Sequence, residues 1–119
     1  MSNTYVIYSE INSLSEFGFI AGNPYTIEFE VFEQDGTTPL DMGGATFKWV
    51  LSKYGVNESV LEKDGSITGV GTAEVVLDTV DTESLSGKFI HQPVIVSFSG
   101  LEYRPAQGVL IIIPRTALN

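Results

Sequence analysis

The sequence predicts an all-β protein folded as a sandwich or barrel, and three features predict it. Apolar and polar residues alternate with a period of two, as in Tyr25, Ile27, Phe29 and Val31 against Thr26, Glu28 and Glu30. A helix would need apolar spacings of three and four instead. About six or seven such short segments recur every ~8 to 15 residues, separated by Gly, Pro and Asp turns. The 119 residues are 43% hydrophobic and 18% charged, a folded composition in a length that can bury one core without metal or disulfide staples. No repeat of roughly 20 to 50 residues is visible, which excludes solenoids and propellers.

Each segment has its own justification. Residues 25–31 form a strand with one dry and one wet face, and Asp35, Gly36 and Pro39 turn the chain after it. Gly43 and Gly44 precede a second strand in which Ala45, Phe47, Trp49 and Leu51 share a face. Gly55 marks a loop, 59–62 a short strand, Asp64 and Gly65 a turn, and Gly69 and Gly71 a bend around Val70. In 72–78 the inward set is Ala73, Val75 and Leu77. Residues 81–87 read as one helical turn capped by Asp81 or Thr82 and stopped by Gly87. A long strand, 88–98, contains Pro93, which cannot donate to a ladder and suggests an edge or a bulge. Gly108 opens the last strand, 109–113, which Pro114 ends. The expected core is Tyr25, Ile27, Phe29, Val31, Phe47, Trp49, Leu51, Val75, Leu77 and Leu85, joined by Val94, Val96, Leu110 and Ile112. The chain divides into an N-terminal arm or first strand (1–22), a sandwich (23–115) and a tail (116–119).

Charge narrows the function. The net charge is −9, and the six Lys and Arg residues are scattered, so no clustered positive field exists for a phosphate backbone or an anionic membrane. The chain has no cysteine, which fits a reducing compartment. Residues 1–9 lack the basic start and apolar run of a signal peptide. Synthesis and folding in a cytoplasm are expected.

The residues that could carry chemistry are few. His91 is the single histidine and reads as structural or surface-lying rather than catalytic. One histidine without cysteine cannot supply the usual zinc set. Glu28 and Glu30, about 7 Å apart on one strand face, read as solvated charges that block edge pairing rather than as a glycosidase pair. Asp78, Asp81 and Glu83 invite a calcium reading, as do Asp35 and Asp41, but their spacing is not that of a calcium loop. No catalytic residue, metal or cofactor is expected. Tyr5, Ile7, Phe17, Phe19 and Ile20 are many apolar residues for an arm; if they do not complete the domain's own sandwich, they should pack on a neighbour, making them the candidate interface. Tyr54 and Tyr103 are candidate binding aromatics, suited to stacking on sugars or anchoring a protein partner.

The stretches YTIEFEVFEQDG at 25–36 and PLDMGGATFKW at 39–49 resemble the opening of immunoglobulin-like domains in tailed-phage virion proteins. Examples are the N-terminal domain of baseplate upper proteins and tail or head-fibre modules. DTESLSGKF at 81–89 resembles the family's capped turn leading into a strand, and GVLII at 108–112 its closing strand. The resemblance spans 25–114; Pro93 and the N-terminal arm depart from the pattern. It implies an immunoglobulin-like antiparallel β-sandwich of about seven strands with an N-terminal arm. It also implies a non-enzymatic structural role in a virion, made in the bacterial host cytoplasm. The partners would be other virion proteins and further copies of the chain, often as trimers or hexamers, with no nucleic acid or membrane. A carbohydrate- or receptor-binding sandwich module is the alternative.

Overall fold

The computed structural model describes residues 2–8, 12–33, 35 and 37–115, with the backbone alone at 2–8, 12, 13, 15 and 103. The tail assigned to 116–119 lies outside the described residues. Two β-sheets face one another across a single core. The first has the order β1 (Ser2–Tyr8), β3 (Tyr25–Phe32), β7 (Thr72–Leu77), β6 (Ser66–Gly69). The second runs β2 (Asn12–Ile20), β10 (Ala106–Ile113), β8 (Gly87–Val96), β4 (Thr46–Lys53), β5 (Ser59–Asp64), with β9 (Glu102–Tyr103) paired to β8.

The period-two pattern is what places the core. Ile27, Phe29 and Val31 of β3 and Ala73, Val75 and Leu77 of β7 face Phe47, Trp49 and Leu51 of β4, all buried. Leu110 and Ile112 of β10 and Phe89 and Ile95 of β8 close the layer. Leu85 is only partly buried against this cluster.

The phase of β8 corrects the sequence reading. Its core face is Phe89, His91, Pro93 and Ile95; Val94 is buried as expected but on the opposite face, where Val96 is half-buried. Apolar residues occupy both phases of this strand, so alternation alone does not choose between them. The ladder to β4 does, since it sets Phe47 opposite Ile95 and Trp49 opposite Pro93. Pro93 also sits in an interior strand, not at an edge. β10 pairs with β8 up to His91, and β9 pairs from Ile95 onward. Pro93 falls in the gap between them, where the ladder has no use for the missing donor.

More strands form than the seven or so expected, for two main reasons. The arm 1–22 contributes two of them: β1 lies parallel to β3 in the first sheet, and β2 lies parallel to β10 in the second. Residues 59–69 supply two where one, 59–62, is expected, because the chain changes sheets at Gly65. β5 pairs with β4 up to Asp64, the Gly65 amide donates to the Phe47 carbonyl, and β6 then pairs with β7. A Cβ at Gly65 would come within 2.8 Å of both the Glu74 carbonyl oxygen and the Phe47 ring. Gly65→Ala is therefore expected to cost about 1–3 kcal/mol through overpacking, read as a lower urea midpoint at unchanged slope.

The helical turn also begins earlier than expected. It is α1 (Thr79–Thr82), capped by Asp78, whose amide donates to the Asp81 side chain at 2.7 Å. Thr82 is fully buried, and its hydroxyl accepts the Gly22 amide at 2.9 Å, tying the β7–β8 connection to the β2–β3 turn. Arg115 reaches the same turn, donating to the Ala21 carbonyl and the Asn23 side chain.

Candidate assembly surface

The five arm residues expected to form an interface separate in the structure. Phe19 is 3% exposed and stacks on Tyr25, with ring centroids 4.7 Å apart. Phe17 is half-buried between Tyr25 and the edge of His91. Both belong to the domain's own core, because β2 docks on β10 and β2's alternation turns these two rings inward. Ile20 is turned outward and is 44% exposed. The Tyr5 and Ile7 side chains lie outside the described residues.

His91 is completely buried. Trp49 Nε1 donates to its Nδ1 at 3.0 Å, and burial holds the imidazole down to about 4. It is thus a neutral acceptor inside the sandwich, out of reach of any substrate.

The carboxylates weighed for calcium have other engagements. Asp81 accepts from Lys63 at 2.8 Å and from the Asp78 amide. Burial alone would raise its pKa, but the Lys63 hydrogen bond and the amide hold it below the usual carboxylate range. Asp35 takes the Thr38 hydroxyl and the Thr38 and Thr37 amides, which lower it to about 2. Asp41 accepts the Gly43 amide. Among the described residues no group of three or more His, Cys, Asp or Glu side chains is placed to hold a metal ion, and no helix is long and apolar enough to cross a membrane.

Tyr54 is half exposed, and the Lys88 ammonium lies 4.0 Å from its ring centroid, so a cation already occupies one face of the ring. The Tyr103 side chain lies outside the described residues. An open groove of about 540 Å³ runs where β5 and β6 leave β4, lined by Ala45, Phe47, Lys48, Asp64, Gly65 and Ile67.

A different surface stands out on the outer face of the second sheet. β10 is apolar on both sides: Leu110 and Ile112 point into the core, while Val109, Ile111 and Ile113 point away from it. The register sets Val109 beside Ile90 and Ile113 beside Ile20. Between them Gly18 lies against Ile111, and a Cβ there would meet the Ile111 carbonyl oxygen at 2.9 Å. Ile20 and Ile113 are 44% and 50% exposed, and Ile90, Val109 and Ile111 are half-buried. Beyond them, Val50 and Val94 sit low on the same face. Nearby, Arg104 pairs with Glu102 and donates to Gln92, which in turn donates to Gln107. The result is an apolar stripe with a polar border. Of its members only Ile20 was singled out from the sequence. The signal for the rest is the unbroken apolar run of the last strand, which marks a strand dry on both sides.

No protein-family model matches the chain, and no curated protein matches it either.

Proposed function

We propose that this chain is a non-enzymatic assembly domain of immunoglobulin-like type, a structural component of a tailed-phage virion acting through protein–protein contacts. The strand order supports the immunoglobulin-like part. With β3, β7 and β6 taken as strands B, E and D and β10, β8, β4 and β5 as G, F, C and C′, β2 falls beside G where A′ belongs, whereas β1 lies beside B but parallel to it, a departure from the antiparallel sheets of the fold. The buried Trp49 then lies on strand C, where such sandwiches carry their core tryptophan. Its partner is His91 of the F strand, in the layer where other members of the fold place a disulfide.

The observation that carries the assembly role is the outer apolar face formed by Ile20, Ile90, Val109, Ile111 and Ile113. A sheet whose other side already packs a core normally turns polar residues to water, and a contiguous apolar face marks an interaction site. The virion part is supported by the resemblance of 25–114 to phage modules. Mass spectrometry of particles purified from the source tests it: the chain is expected at a fixed copy number relative to the major structural proteins. Finding it in the cell lysate but absent from particles would overturn the virion role.

A further inference from the structure

We infer that the occupant of this outer face is a second copy of the same chain, docked face to face about a two-fold axis. The inference rests on reading the face as an assembly surface and adds the identity of the partner.

Charge selects the partner. Each molecule carries −9, so two copies repel unless they meet where that charge is absent. The strands of the first sheet contain Glu28, Glu30 and Glu74 and no Lys or Arg. On the outer face of the second, Lys48, Lys88 and Arg104 stand against Glu16, Glu62, Asp64 and Glu102, a near balance, while Lys53 and Lys63 take the core-facing phase opposite Phe89 and Trp49. The second sheet is therefore the side on which two acidic molecules can approach with the smaller like-charge penalty. Its border holds both signs, with Lys48 and Lys88 exposed as well as Glu16 and Glu62. A face bearing both signs around an apolar centre can be complementary to itself, as an isologous contact requires. A cationic partner would instead prefer the first sheet, and an acidic one gains nothing from a nearly neutral surface.

The dimensions agree. Five strands at ~4.8 Å spacing and about 25 Å long present roughly 600 Å² in plan. Side-chain relief brings this near the ~800 Å² per partner of a standard stable interface. The centre is aliphatic and the border polar, the anatomy of such contacts.

The test is sedimentation velocity on the full chain across a concentration series, with Ile20→Asp, Ile113→Asp and Val76→Asp beside the parent. Ile20 and Ile113 are about half exposed already, so these substitutions leave the fold intact, checked by circular dichroism. Val76, 46% exposed on the outer face of the first sheet, is the control. The parent is expected to reach twice the monomer mass. Ile20→Asp and Ile113→Asp should each weaken association at least about tenfold, and Val76→Asp should leave it unchanged. A parent that stays monomeric throughout, a closed trimer or larger ring, or dissociation by Val76→Asp but not by Ile113→Asp each overturns the two-fold pairing. These outcomes leave the broader assembly reading to the particle analysis, which fails separately if the chain is missing from particles.

Discussion

Trp49→Ala is expected to be the most damaging single substitution, costing about 3–5 kcal/mol, enough to unfold much of a marginally stable domain of this size. Trp49 has no solvent exposure and sits midway along β4 between β5 and β8. Its removal opens a cavity at the centre of the sandwich and withdraws the indole donor from His91 Nδ1. The two losses can be separated. Trp49→Phe keeps most of the ring volume but not the N–H, and should cost about 1–3 kcal/mol for the deprived buried acceptor plus a small void. Urea titration followed by circular dichroism measures both. An alanine variant within 1 kcal/mol of the parent would contradict the core described above.

Acid should weaken the fold in a window set by the same pair. The unfolded chain takes up a proton on His91 near pH 6.5, whereas the folded chain keeps the imidazole neutral until about pH 4. Above pH 6.5 both states are neutral and the group contributes no pH dependence. As pH falls from there, the unfolded state binds the additional proton and is favoured. Near pH 4 the folded state begins to protonate too, and the loss levels off. Roughly 2.5 pH units at 1.36 kcal/mol each give about 3 kcal/mol lost. His91→Gln, whose side-chain oxygen can still accept from Trp49, should flatten stability between pH 6.5 and 4 even if it lowers the whole curve. Asp35 acts in a lower window: held to about 2, its contribution fades only as pH drops below the ordinary carboxylate range. A parent stability that does not change from pH 7 to 4.5 would mean that His91 is charged or hydrated in the fold.

Much of this architecture was legible in the sequence wherever one face of a strand is wet. In β3, β4 and β7 the polar residues Glu28, Glu30, Lys48 and Glu74 mark the solvent side, so Phe29, Trp49 and Val75 fall inward without ambiguity. β8 defeats the same logic, since Phe89, Ile90, Val94, Ile95 and Val96 supply apolar side chains to both faces and only the pairing with β4 decides. The helical turn shifted for a related reason. Asp78, Asp81 and Thr82 are all good cap residues, and choosing among them takes the Asp78 amide's bond to Asp81. Least legible was the candidate surface. Val109 to Ile113 reads as a buried strand, but the sequence cannot say that one of its two dry faces belongs to this chain's core and the other does not. Phe17, Phe19 and Ile20 are indistinguishable in the sequence until β2 is set in register with β10.

That register has a consequence for how the chain reaches its native state. Ile20 pairs with Ile113 and Asn12 with Ala106, so the ladder that seats Phe19 joins two segments far apart in the sequence. Loop-closure entropy makes such distant, parallel pairing slow. On the ribosome, Phe19 and Tyr25 must wait for Leu110 and Ile112 to emerge from the exit tunnel. Until then the nascent chain exposes aromatic side chains that invite chaperone capture or misassociation.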